Sequence, residues 1–160
     1  MASNLVYKQF SAESLQAQRP LVHAMKHFLK GAQQKNWQQT DQISLVMEAT
    51  QIVTYARFVP FEHTLWLRGL YCIPSHREQG LASTLLAFSA ERLAILGYQQ
   101  IVAFALCELS PFYQKLGYQS IDLSDLEESQ PFLAERFKQA QTQTKPWRLM
   151  QKTLTSALLV

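Results

Sequence analysis

At 160 residues, with 48% hydrophobic and 17% charged, the chain reads as a single globular domain over 1–160, able to bury roughly two-thirds of its unfolded surface. No run approaches the ~20 apolar residues of a membrane span and MASNLVYKQF has no apolar signal core, so a cytoplasmic protein without a membrane partner is expected. The net charge of +3 comes from scattered Lys and Arg without a basic block, which argues against nucleic acid and suits a mildly anionic ligand.

Alternation from Asn4 to Phe10 predicts a first strand. Ser11, Glu13 and Ser14 mark a helix start. Leu15, Val22, Met25, Phe28 and Leu29 then predict one or two amphipathic helices, broken near Pro20 and ending around Gly31. The Gln-rich stretch 33–42 is compatible with a continued polar helix or with a loop. Ile43 to Ala49, Ile52 to Val59 and Thr64 to Ile73 are strand-like runs separated by short polar turns, and short connections predict an antiparallel meander. Gly69, inside the third of these runs, marks a bulge or a close backbone approach. A helix follows from Leu81 to Gly97, and Gln100 to Leu106 is the next strand. Strand, helix, strand implies a parallel pair with a right-handed crossover. Ser110 to Gly117 predicts a short helix with Pro111 in its first turn. A strand over Tyr118 to Leu123, a surface helix over Asp125 to Gln143 carrying Phe132, Leu133, Ala134 and Phe137, and a last strand over Trp147 to Leu154 complete the order. The class is α/β, a mixed sheet with helices on both faces.

The stretch LYCIPSHREQGLASTLL (70–86) organises the chain. It reads as strand, loop and helix, and the loop carries Arg77, Gly80 and Ala82 in an R-x-x-G-x-A spacing. Amides at a helix N-terminus lack intrahelical partners and the helix dipole adds positive charge there, which makes a phosphate site. Gly80 allows close backbone approach, and Ala82 and Ser83 keep bulk away. Arg77 either adds charge near the phosphates or braces the loop. Cys72 and Cys107 form no C-x-x-C or zinc spacing and read as small buried hydrophobes. His23 and His27 share a helix face, but the intervening residues are Ala-Met-Lys and no third ligand is evident, so no metal is expected. P-loop and G-x-G-x-x-G spacings are absent.

Two motifs in this order resemble the GNAT superfamily of acyl-CoA-dependent N-acetyltransferases: LYCIPSHREQGLASTLL is similar to its R/Q-x-x-G-x-G/A pyrophosphate motif, and PFYQKLGY (111–118) to its F-Y-x-x-x-G-F/Y helix. The segment 105–118 further resembles part of serotonin N-acetyltransferase, a local similarity that carries no substrate. The resemblance implies a mixed, mostly antiparallel sheet whose fourth and fifth strands splay apart at a bulge, with Gly69 well placed for it. It implies acetyl-CoA as acyl donor, its pantetheine arm along Leu70, Tyr71 and Cys72. The pyrophosphate would lie over Arg77 and the amides of Glu78, Gln79, Gly80, Leu81, Ala82 and Ser83.

Acetyl transfer to a primary amine needs a polarised carbonyl, a neutral amine and a proton for the departing thiolate. The resemblance places Tyr113 as the acid, and a phenol with pKa about 10 is well matched to a thiol; its alternative role is packing under the sheet. In enzymes similar to serotonin N-acetyltransferase two histidines lie on strand four, where this chain has Trp66 and Arg68. Glu62 at the turn entering that strand is the candidate base, with His63, Glu48 and Glu108 as alternatives. Acceptor contacts are expected from Leu21 to Trp37 and from Asp125 to Thr144, which lack the carboxylate cluster of a polyamine site. The 125–144 insertion is expected either to cover the site or to make a homodimer contact. The competing function is an acyl-CoA-binding or sensing module without catalysis.

Overall fold

The computed structural model of the chain describes residues 4–141 and 145–155. Strands β1 (Leu5–Ser11), β2 (Gln42–Glu48), β3 (Gln51–Phe61), β4 (Thr64–Cys72), β5 (Gln100–Leu106), β6 (Gln119–Ser120) and β7 (Trp147–Thr153) form one sheet in the order β1-β2-β3-β4-β5-β7-β6. The meander β1 to β4 is antiparallel as expected, and β4 and β5 are parallel, joined through a helix. β7 inserts antiparallel between β5 and β6. The helices are α1 (Arg19–Gly31), α2 (Leu81–Ile95), α3 (Ser110–Lys115), α4 (Leu123–Ser129) and α5 (Pro131–Gln141).

Period-two alternation sorts the sheet's side chains onto two faces, each covered by helices. Leu65 and Leu67 of β4 and Ile101, Ala103 and Ala105 of β5 pack with Leu81, Leu85 and Leu93 of α2 and with Tyr113 of α3. On the other face Trp66 and Val102 pack with Leu126 of α4 and Leu133 and Phe137 of α5, while Ile43, Leu45 and Tyr55 pack with Met25 and Leu29 of α1.

The register between β3 and β4 slips once: Phe58 faces Leu67, but Arg57 faces Gly69, leaving Arg68 as an extra residue. One extra residue reverses the alternation downstream. Leu65 and Leu67 point to the α2 side before the bulge, and Leu70 and Cys72 pack on that same cluster after it. The bulge expected around Gly69 is therefore present, with Arg68 as the residue it extrudes.

Two expectations are corrected. The strand over Tyr118 to Leu123 contracts to Gln119–Ser120, because Tyr118 is buried beneath the sheet and Asp122 already begins α4. The surface helix over 125–143 is two helices. Pro131 keeps Gln130 out of helical geometry (φ −142°, ψ 75°), so α4 stops and α5 starts afresh. Both helices lie at the surface with one side packed inward, through Leu126, Leu133, Ala134 and Phe137. The expected last positions, 142 and 143, and Thr144 of the insertion lie outside the described residues.

The segment 33–40 is a loop, and Asp41 pins it. The fully buried Asp41 carboxylate accepts from the Gln38 amide at 2.8 Å and from Arg57 Nη1 at 3.0 Å, while its carbonyl accepts from the Ala12 amide at 2.8 Å. Removing one partner of a buried ion pair leaves the other charge uncompensated, which costs about 3–5 kcal/mol. Asp41→Ala is expected to destabilise by roughly 3 kcal/mol or more in urea unfolding. A loss of less than about 1 kcal/mol would show that Arg57 is held by something else.

Candidate active site

The bulge opens the sheet. β4 and β5 pair only from Thr64 with Gln100 to Leu67 with Ala103. Beyond that, β4 continues on β3 through Gly69 to Cys72, and β5 continues on β7 through Phe104 to Leu106. The inner edges of Arg68–Cys72 and Phe104–Leu106 thus bound a wedge whose backbone N–H and C=O groups require other partners.

The loop after β4 leads from this wedge into α2. Glu78 (φ 64°) and Gly80 (φ 75°) both take left-handed backbone geometry, and Gly80 is the N-cap of α2. Its carbonyl accepts from Ser83 Oγ at 3.0 Å, Thr84 Oγ1 at 2.8 Å and the Thr84 amide at 3.0 Å. With the carbonyl turned into the helix, the amides of Leu81, Ala82 and Ser83 are the unpaired first-turn donors. Arg77 donates through Nε to the Cys72 carbonyl at 2.9 Å and lies 5.3 Å from the Tyr71 ring, so it braces the loop against the end of β4. A second brace is His76, 3.3 Å from Glu48 of β2.

The region spanning β2 to β6, residues 40–120, matches the family model described as the acetyltransferase (GNAT) domain. The chain belongs to the GNAT acetyltransferase family. No curated protein matches it. Among solved structures, this GNAT fold is similar to the N-acetylglutamate synthase of Neisseria gonorrhoeae complexed with coenzyme A and N-acetyl-glutamate, at 12% identity and a TM-score of 0.63. That match covers 97% of this chain and 36% of the synthase, so the chain spans about a third of that protein. It is also similar to the ribosomal-protein-S18-alanine N-acetyltransferase of Escherichia coli (12% identity, TM-score 0.62, 96% of each chain). A further match is PaiA N-acetyltransferase of Thermoplasma acidophilum in complex with coenzyme A, at 12% identity, TM-score 0.56, 94% of this chain and 99% of that one. At such identities the likeness is one of fold.

Within the GNAT fold the expected site residues fall into two groups. Leu70, Tyr71 and Cys72 lie on the wedge edge of β4, and Arg77 to Ser83 form the loop and first turn of α2. Tyr113 joins them: it is buried in the cluster that holds Leu67, Leu81 and Ala105, and Leu70 packs against that cluster. Its ring stands edge-on to Phe112 at 5.1 Å and to Tyr118 at 5.3 Å. Glu62 is not brought to this group. It sits exposed on the β3–β4 turn, where β4 and β5 are still paired, about eight residues along the chain from Leu70, or roughly 25 Å if extended. His63 shares that turn, Glu48 is engaged with His76, and Glu108 is exposed in the turn after β5. Cys72 and Cys107 are half-buried, because both stand where strands end at the opening. Among the described residues no group of three or more His, Cys, Asp or Glu could hold a metal ion, and no helix is long and apolar enough to cross a membrane.

Sequence reasoning did not anticipate Arg57, Asp41 and Arg136 beside the opening. Arg57 carried a signal: a charged residue between Ala56 and Phe58, inside an apolar strand, requires a buried partner.

Burial raises the phenol pKa of Tyr113, and burial also raises those of Tyr55 and Tyr118 well above the ordinary value of 10. Tyr113 therefore keeps its proton at neutral pH. A raised native pKa contributes stability that is fully present below the unfolded value near 10 and is lost as pH rises beyond it. Stability should be insensitive to these groups below about pH 10 and fall above it by about 1.4 kcal/mol per pH unit per phenol. Urea midpoints compared between roughly pH 9 and pH 11 should fall less steeply in Tyr118→Phe than in the parent; equal slopes would show that Tyr118 does not retain its proton.

Proposed function

We propose that the chain is an acetyl-CoA-dependent N-acetyltransferase acting on a primary amine by direct attack within a ternary complex. The observation that carries this is the conjunction at one end of the sheet of the β4–β5 wedge, the Gly80-capped α2 N-terminus and the buried Tyr113. The wedge fits the donor chemically: unpaired backbone groups of Leu70, Tyr71 and Cys72 match the amides of a pantetheine arm, and the Leu81–Ser83 amides match a pyrophosphate.

When bound, acetyl-CoA supplies the acyl group as a thioester. A β4 amide near Leu70 or Tyr71 polarises the thioester carbonyl. The amine nitrogen forms the new bond to the carbonyl carbon, and the C–S bond breaks. Tyr113 gives its proton to the departing sulfur, for which a phenol is well matched. The amine's proton leaves to water, directly or through a carboxylate of the opening such as Glu108. Glu62, on the β3–β4 turn at the other end of β4 from Leu70, is assigned no step in this reading.

Coenzyme A is expected to raise the melting temperature by several degrees at saturating concentration, and ATP is not. With an amine, amino-acid and peptide panel monitored by thiol release, Tyr113→Phe should lower turnover several-fold or more and leave coenzyme A affinity nearly intact. Unchanged turnover removes Tyr113 from the mechanism. Coenzyme A binding with no turnover on any acceptor would instead support an acyl-CoA-binding module.

A further inference from the structure

On the face of the sheet opposite α2, three adjoining cavities of about 510, 360 and 210 Å³ meet at Arg68, the residue extruded by the bulge. Their walls come from β3, β4, the 33–40 loop and α5. Arg57 and Lys35 line two of them, as do Arg136 and Trp66. The Arg68 guanidinium lies 4.1 Å from the Trp66 ring centroid and that of Arg136 lies 5.7 Å from the same centroid. Two cations thus converge on one aromatic ring from β4 and α5.

Arg57 is neutralised by Asp41 at 3.0 Å. Among the described residues, neither Arg68 nor Arg136 is in an ion pair, and no Asp or Glu lines any of the three cavities. Burial, with the nearby charges of Arg136 and Arg57, holds the Arg68 pKa below its ordinary value. Gathering like charges in a half-buried hollow is unfavourable unless a counter-charge is brought in, and the guanidinium fork matches a carboxylate in two parallel hydrogen bonds. In the cavity of about 510 Å³ an apolar contribution comes from Phe61 and the exposed Phe132, whose tilted rings are 5.3 Å apart.

We propose that the acceptor is an amino acid, whose carboxylate docks on Arg68 and Arg136 and whose apolar side chain lies along Phe61 and Phe132. Arg68 is itself the bulge residue at the start of the wedge, so a carboxylate held on its guanidinium favours an acceptor whose amine is carried on the same carbon as the carboxylate. This rests on the acetyltransferase reading above and names its acceptor class. The two arginines are specificity-determining residues and carry no step of the chemistry.

The test uses matched product probes that differ only in charge: N-acetyl-L-phenylalanine and N-acetyl-L-phenylalaninamide, titrated calorimetrically into the coenzyme A-loaded protein. The carboxylate form is expected to bind at least about tenfold more tightly. Arg68→Gln and Arg136→Gln should each bring the ratio towards one without changing coenzyme A affinity. Arg92→Gln, whose guanidinium covers Phe88 on the other face, should leave it intact. Equal affinities in the parent, failure of both probes to bind, or a ratio that survives both cavity variants overturns the proposal. Failure of coenzyme A itself to bind would instead overturn the acetyltransferase reading.

Discussion

A single unpaired residue in β4 governs the geometry of the opening. Up to Leu67 the strand is held on both sides, by β3 and by β5, and it is rigid for that reason. With Arg68 inserted, the strand must bend and its side chains change faces, so it can follow β3 or β5 but not both. It follows β3, and β5 follows β7. The price is a pair of strand edges stripped of partners inside the sheet, a state that persists only where a ligand or water replaces the missing ladder.

The two sides of that opening present different kinds of group. On the α2 side the groups on offer are backbone amides of β4 and of the loop capped by Gly80, which are local in sequence and nearly indifferent to side chains. On the other side they are side chains, Arg68, Arg136, Trp66, Phe61 and Phe132, gathered from β3, β4 and α5. This division explains what the sequence disclosed. Backbone cradles demand glycine and small residues at fixed spacing, so R-E-Q-G-L-A-S was readable within one loop. A pocket of side chains assembled from positions about seventy residues apart leaves no spacing to read.

Strand and helix order followed from periodicity, and Gly69 betrayed the bulge because few other reasons place a glycine in a central strand. The failures have equally local causes. Tyr118 to Leu123 reads as a strand, yet Tyr118 is an inward anchor and only Gln119–Ser120 reach β7. The stretch 125–143 shows its apolar series of Leu133, Ala134 and Phe137, but reading it as one helix passed over Pro131, which ends α4 at Ser129 and starts α5 afresh. Glu62 is close to β4 in sequence, but a nine-residue strand has two ends, and it stands at the one away from Leu70 to Cys72.

The row of rings from Phe132 through Phe61, Trp66 and Phe104 to Phe137 runs along the floor of the cationic hollow with centroid spacings of 5.3, 6.5, 5.0 and 5.1 Å. Of the three tryptophans, Trp66 and Trp147 border this hollow and Trp37 packs beside α1. The indole of Trp66 lies beneath two guanidiniums, so a shift in their position would change the field at that ring and with it the emission. If the hollow is filled, intrinsic fluorescence would report it without a label.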